Sequence, residues 1–241
     1  MTENKKYQPF LFKKFSIEQN NAAMKIGTDG ILLGAWVNCI NKRNGLDIGC
    51  GTGVIAIMMC QKNPNIKMTA IEISKEAVKD AIINFENCKW NNNLNLKNQD
   101  FKDYKPTNKY DLIVSNPPFY QDGYKSNNPT KSLAKHEGEL NFSSIIEFSN
   151  KNLTEKGTLN LIIPFKNGEK CKSIAKKQNL HLSRECVIYP KANKSATRVL
   201  LEFSKVNIDT KKEELIIEND KRHDYTTDYK NLTRDFYTIF Q

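Results

Sequence analysis

Leu46-Asp47-Ile48-Gly49-Cys50-Gly51-Thr52-Gly53 is a short apolar strand that runs into three alternating glycines, with a helical pattern from about residue 54 to 61 behind them. Glycines at a strand-to-helix turn permit tight backbone geometry and let the main chain approach a ligand. The start of the helix also favours an anionic group. A dinucleotide-binding fingerprint would place its third glycine at position 54, where Val54 stands. The spacing is GxGxG with Asp47 ahead of it, and that disfavours a nicotinamide or flavin site.

Outward from this turn, short apolar runs alternate with amphipathic stretches, which points to a mostly parallel sheet with helices on both faces. Ahead of it, residues 27–40 read as a helix with Thr28 or Asp29 as N-cap. Strands are expected over 44–48, 67–73, 94–98, 110–115 and 157–164. Ser74 can cap the helix after the second strand, where Ala77, Val78, Ala81, Ile82 and Phe85 form an apolar stripe. Further helices are expected over 142–152 and 167–178, and 180–188 pairs with 198–203 as an antiparallel hairpin. A highly charged tail over 205–224 leads to a last helix at 225–240. Five parallel strands and a hairpin make a seven-stranded sheet.

The 241 residues are near the upper size for one hydrophobic core, so one α/β domain with small additions is expected. No apolar run approaches the ~18 residues that cross a bilayer, and residues 1–10 are too polar for a secretory signal. Six cysteines without a CxxC pair fit reduced thiols, with no metal site and no disulfide framework. The expected compartment is the cytoplasm. The net charge of +10, from 37 basic and 27 acidic residues, suits a phosphate-backbone partner, although only five of the basic residues are arginines.

Two acids fall at strand ends behind the glycine turn. Glu72 ends the second strand with Ile73 beside it, where a carboxylate can accept hydrogen bonds from both hydroxyls of a ribose. Asp100 follows the third strand, with Phe101 next to it to pack on a planar ring. Alone, each would read as a solvated strand end.

Asp111-Leu112-Ile113-Val114-Ser115 feeds directly into Asn116-Pro117-Pro118-Phe119, at the carboxyl end of a parallel strand where open α/β sheets bind ligands. The two prolines fix φ and lack N–H groups, so the turn is rigid and presents carbonyl oxygens. An exocyclic amino nitrogen is a poor nucleophile because its lone pair is delocalised into the ring. The side-chain oxygen of Asn116 and the carbonyl of Pro117 suit acceptance of its two N–H bonds, which aims the lone pair and stabilises developing positive charge. Phe119 suits stacking on a base.

The glycine turn resembles the first signature of class I S-adenosylmethionine-dependent methyltransferases, and Asn116 to Phe119 resembles the catalytic signature of amino-group methyltransferases. Along nearly the whole chain the sequence is similar to the bacterial tRNA1(Val) adenine-37 N6-methyltransferases. The similarity is carried by Phe15 to Gln19, Lys25 to Trp36, Ala134 to Glu137, Pro190 to Lys194 leading into Arg198 to Phe203, and Leu232 to Tyr237. Lys135 stands where that family pattern has an arginine, and a lysine offers a point charge in place of a planar fork.

The resemblance implies a Rossmann-like α/β fold. In it, residues 1–43 cover the cofactor pocket, 44–205 form the core, and 206–241 form a charged tail with a helix packing back. It implies S-adenosylmethionine as cofactor, S-adenosylhomocysteine as product and tRNA as partner. Cofactor contacts fall to Lys25, Thr28, Asp29, Asp47, Gly49, Gly51, Gly53, Glu72, Ile73, Asp100, Phe101 and Asn116, and catalysis to Asn116, Pro117 and Phe119. Tyr120, Lys125, Lys135 and His136 on one loop, and Lys191, Lys194 and Arg198 on another, are the expected RNA contacts. A release-factor glutamine methyltransferase and a guanine-N2 rRNA enzyme share the Asn-Pro-Pro motif. The first usually carries a helical domain ahead of a strand that here begins near residue 44. A non-catalytic RNA-binding module would not need both signatures.

Overall fold

A computed structural model of the chain describes residues 8–117 and 142–240. Its main sheet has eight strands in the order β5-β4-β3-β6-β7-β9-β8-β10. In chain order these are β3 (Asn44–Ile48), β4 (Lys67–Glu72), β5 (Leu94–Asn98), β6 (Tyr110–Ser115), β7 (Leu153–Pro164), β8 (His181–Lys191), β9 (Arg198–Ser204) and β10 (Lys211–Glu218). A separate two-stranded ladder joins β1 (Phe10–Leu11) to β2 (Ser16–Ile17). The helices are α1 (Thr28–Trp36), α2 (Val54–Lys62), α3 (Lys75–Glu86), α4 (Phe142–Asn152), α5 (Gly168–Lys177) and α6 (Thr227–Thr233).

The central strands are buried on both faces, and their side chains alternate between two cores. Leu112 and Val114 of β6 face a core shared with α1 and α2, whereas Ile113 faces one built with Ile145 and Ile146 of α4 and Ala175 of α5. Helices therefore cover both faces, as expected. Only β9 runs antiparallel to its neighbours β7 and β8, so the expected hairpin is present with Ile188 opposite Arg198.

The expected seven strands are eight. The charged tail contributes β10, which pairs in parallel with β8, Lys211 opposite Arg184. Of β10 only Leu215 is buried, and its charges occupy an exposed sheet edge, where they discourage further pairing. Glu213 fixes the strand. Its Oε2 accepts from Arg184 Nε at 2.7 Å and Trp36 Nε1 at 3.0 Å, and Arg184 lies over the Trp36 ring, 4.2 Å from its centroid.

Two expected helices are shorter than their patterns. α1 takes Gly27, which has no side chain to cap with, as N-cap; Thr28 and Asp29 lie inside its first turn, where Asp29 pairs with Arg198. It ends where Lys62 Nζ gathers the carbonyls of Gly34 (3.3 Å), Ala35 (2.6 Å) and Val37. The final helix ends at Thr233, since Lys13 N–H takes the Phe236 carbonyl at 2.8 Å and Phe12 bridges Tyr237.

Burial raises the Glu213 carboxyl, but the bonds from Arg184, Lys211 and Trp36 outweigh it and hold its pKa down to about 2. A carboxyl depressed on folding stabilises above its unfolded pKa, and that contribution is lost as pH falls from about 4.5 towards 2. Glu213→Gln is expected to cost about 1 kcal/mol at pH 7, the group being partly solvent-screened. The difference from wild type should shrink as pH falls below about 4.5 and vanish only below about pH 2 in denaturant titrations; a difference independent of pH would refute this role.

Candidate active site

The turn from Gly49 to Gly53 has the backbone that its glycines predict. Gly49, Gly51 and Gly53 sit at φ of 70°, 56° and 82°, in the left-handed region. At Gly53 a side chain would also run into the ring of Phe85. At Gly51 a Cβ would meet nothing within 4 Å, so its bare backbone faces open space. That space is a cavity of about 380 Å³ lined by Gly49, Gly51, Glu72, Ile73, Asp100 and Phe101. It lies at the carboxyl ends of β3, β4 and β5.

Glu72 holds this cavity open. Its Oε2 accepts from Gly51 N–H at 2.9 Å and its Oε1 from Ser74 N–H at 2.8 Å. A carboxylate has about four acceptor sites, so capacity remains for two ligand hydroxyls. Ser74 accepts from Ala77 N–H and caps α3 as expected. Ile73 is 55% exposed, an apolar side chain at a cavity wall rather than in a core. Asp100 caps a short turn by accepting from Lys102 N–H at 2.9 Å, and Phe101 is buried edge-on to Phe148.

Residues 22–27 line the opposite side, and two polar residues that no sequence motif marks hold them there. Asp80 of α3 is fully buried and accepts from Asn21 N–H (2.9 Å), Asn21 Nδ2 (2.7 Å) and Ala22 N–H (2.7 Å). One turn on, Asn84 accepts from Glu18 N–H and donates to the carbonyls of Glu18 and Thr52, the last inside the glycine turn. The signal was present in the α3 sequence: Asp80 and Asn84 are polar residues one turn apart beside the stripe of Ala77, Ala81 and Phe85. Lys25 also lines the cavity, with Nζ donating to the carbonyls of Gln19 and, at 3.0 Å, Ala22.

Asn116 reaches the same cavity from the end of β6, and the next residue, Pro117, is buried. Ser115 locks this strand end to β3 through a 2.7 Å bond to the Ile48 carbonyl. The expected residues Lys25, Gly49, Gly51, Glu72, Ile73, Asp100, Phe101 and Asn116 thus meet around one space. Gly53 shapes the turn without lining the cavity. Asp47 lies beneath it, fully buried, with neither carboxylate oxygen in a hydrogen bond. Burial raises its pKa to about 7. The Ala56 N–H opposes this without reaching bonding geometry, and the charge of Glu72 adds to the rise.

Thr28 and Asp29 are not at this cavity. They line a second one, where Asp29 accepts from Arg198 Nε at 2.8 Å. Lys191 donates to the Asp220 carbonyl at 2.6 Å, and Lys194 is exposed on the loop between β8 and β9. Phe119, Tyr120, Lys125, Lys135 and His136 lie outside the described residues. Among the described residues no group of three or more His, Cys, Asp or Glu is arranged to hold a metal ion, and no helix is long and apolar enough to cross a membrane.

A family model, the methyltransferase small domain, matches residues 22–177. A tRNA1(Val) (adenine(37)-N6)-methyltransferase from Vibrio campbellii is 36% identical over 95% of this chain and 95% of its own length. One from Flavobacterium psychrophilum is 39% identical over 95% and 98%. The chain belongs to this methyltransferase family. Its fold is also that of solved methyltransferases. A predicted O-methyltransferase from Agrobacterium tumefaciens matches with a TM-score of 0.67 at 16% identity, covering 89% of this chain and 99% of its own. A ribosomal protein L11 methylase from Lactobacillus delbrueckii subsp. bulgaricus matches at 0.57 and 17%, covering 79% and 84%.

S-adenosylmethionine, the methyl donor of this family, fits the cavity on its own geometry. The volume is within the range of small-molecule sites, about 300–1,000 Å³. The bare backbone at Gly51, the acceptors on Glu72 and the apolar wall of Ile73 and Phe101 suit a nucleoside bound beside a charged chain. Glu72→Ala is expected to weaken S-adenosylhomocysteine binding by about 1–3 kcal/mol, the range for losing a charged partner; calorimetry showing unchanged affinity would exclude it as a ligand. Asp80→Ala leaves three donors unsatisfied and frees one side of the cavity, so the same titration should show affinity about tenfold weaker. Full affinity in that variant would show that the clasp does not shape the site.

Proposed function

We propose that this chain methylates the N6 amino group of an adenine in tRNA, at position 37 of the anticodon loop of a valine tRNA, using S-adenosylmethionine. The observation that carries the reading is Asn116 at the rim of the cofactor cavity, on the carboxyl end of β6 and braced by Pro117. The match to relatives bearing that activity over 95% of the chain supports the substrate, and so does the net charge of +10. A tRNA substrate places the enzyme in the cytoplasm.

When bound, S-adenosylmethionine supplies an electrophilic methyl group. The chain supplies position and polarity. Asn116 Oδ1 and the Pro117 carbonyl accept the two N–H bonds of the amino group, which favours a tetrahedral nitrogen whose lone pair points into the cavity. The same two dipoles stabilise positive charge as it develops there, fixed in advance by the proline turn and by the Ser115 bond to β3. No strong general base is needed, because the nitrogen's proton becomes acidic once the methyl has moved. Phe119 is assigned to stacking on the base. An anticodon-loop adenine already lies outside a duplex, so little unpairing is required.

Tritiated methyl transfer to unmodified total tRNA, followed by nucleoside analysis, should yield labelled N6-methyladenosine. Label in rRNA or a release factor, and none in tRNA, would keep the chemistry and overturn the substrate. Asn116→Ala should lower transfer at least 100-fold, as removal of a preorganised polar stabiliser does, while sparing S-adenosylhomocysteine binding. Turnover near wild type in that variant would sink the assigned role.

A further inference from the structure

A second cavity, of about 520 Å³, opens beside the first. The first turn of α1 is the wall between them: Gly27 and Gly30 line the cofactor cavity, and Thr28 and Asp29 line the second. Opposite lie Arg198, Arg222, His223, Tyr225 and Tyr229.

Both cavities lie on one edge of the sheet. Arg198 opens the antiparallel strand β9 and pairs with Pro164 at the carboxyl end of β7, itself parallel to β6, the strand that carries Asn116. Glu218 ends β10 opposite Lys191, near the end of β8. The carboxyl edge that presents Asn116 therefore continues across β7, β9, β8 and β10 to the second cavity.

The lining combines aromatic rings with positive charge. The rings of Tyr225 and Tyr229 stack at 5.1 Å, and His223 Nδ1 stands 3.3 Å from the Tyr225 hydroxyl. Base–aromatic stacking and a nearby guanidinium are the usual means of holding an unstacked base and its phosphate. The two acids that line the cavity already have partners. Asp29 takes Arg198 Nε, and Glu218 takes His223 N–H at 2.9 Å. Arg222 is exposed and has no ion-pair partner among the described residues. His223 holds a φ of 66°, a backbone state that non-glycine residues seldom adopt, at the tip of a turn fixed by the Asn219–Asp224 and Lys191–Asp220 bonds.

We infer that the second cavity receives a nucleotide of the RNA flanking the methylated adenosine, with its phosphate on Arg222 and its base against His223 and Tyr225. A helix about 10–12 Å across separates the two sites, so the nucleotide lies within a few positions of the target. This inference rests on the RNA reading above.

Michaelis constants for unmodified tRNA in wild type, Arg222→Ala and His223→Gly test it, with S-adenosylhomocysteine affinity and thermal midpoint measured in parallel. Glycine tolerates the left-handed backbone, so the second variant removes the ring without straining the turn. Arg222→Ala should raise KM about tenfold and lower the slope of log KM against log salt by about 1, as loss of one phosphate contact does. His223→Gly should raise KM severalfold, and neither should change cofactor affinity. Unchanged KM in both, with wild type active on tRNA, overturns the subsite and leaves the RNA reading standing. Wild type that methylates no RNA removes both.

Discussion

Everything about the site depends on the bond pair at Glu72. One carboxylate ties the glycine turn after β3 to the start of α3, through Gly51 N–H and Ser74 N–H. The turn is then committed to three left-handed residues, and Gly53 must be the N-cap of α2, where the ring of Phe85 leaves no room for a side chain. Phe85 belongs to α3, as do Asp80 and Asn84, so the helix that Ser74 caps also carries the clasp on residues 18–22. Floor, wall and opposite side of the cavity are thus coupled through one helix. A buried hydrogen-bond network of this kind rigidifies only when every member is satisfied, and around α3 each has its partner.

The parts legible in the sequence were those with local causes. Alternating glycines read as a turn because their conformational freedom belongs to those residues themselves. Asn116 and Pro117 read as a strand-end site because an apolar strand precedes them and proline fixes the backbone at the turn. The parts that escaped depend on distant partners. β10 looks like a charged tail until Arg184 and Trp36 are seen to converge on Glu213. Thr28 and Asp29 were expected at the cofactor, yet Asp29 faces Arg198, 169 residues away in the chain. The final helix stops early because the N-terminal segment takes its backbone. No window of sequence contains these pairings.

Two carboxyls, one half-buried and one fully buried, pull stability in opposite directions with pH. Glu213 is held in its charged form by a guanidinium, and its contribution fades in acid. Asp47 has no hydrogen bond and its pKa is raised to about 7, so folding favours its protonated form. Its contribution is full below about 4 and lost as pH rises through about 7. The contrast comes from position. Glu213 sits on an edge strand where long basic side chains can reach it, whereas Asp47 is sealed beneath the glycine turn, where the nearby charge is that of Glu72. An acid kept there despite that cost is better explained by the site above it than by stability.

A class I sheet presents one edge for chemistry, and here that edge has two functional lengths. The half built from β3, β4 and β5 frames the cofactor cavity, with Asn116 of β6 at its boundary. The half built from β7, β9, β8 and β10 lies beyond that boundary and, among the described residues, contributes none to the lining of the cofactor cavity. A planar base alone is a poor discriminator, because every RNA offers many adenines. Selection must come from contacts outside the base pocket, and a sheet edge continuing away from the reacting group is the place to build them. The antiparallel β9 brings Arg198 to that edge, and the added β10 carries the turn bearing Arg222 and His223 to the same level. If the inferred RNA subsite holds, the strand hidden in the charged tail serves substrate selection as well as the fold.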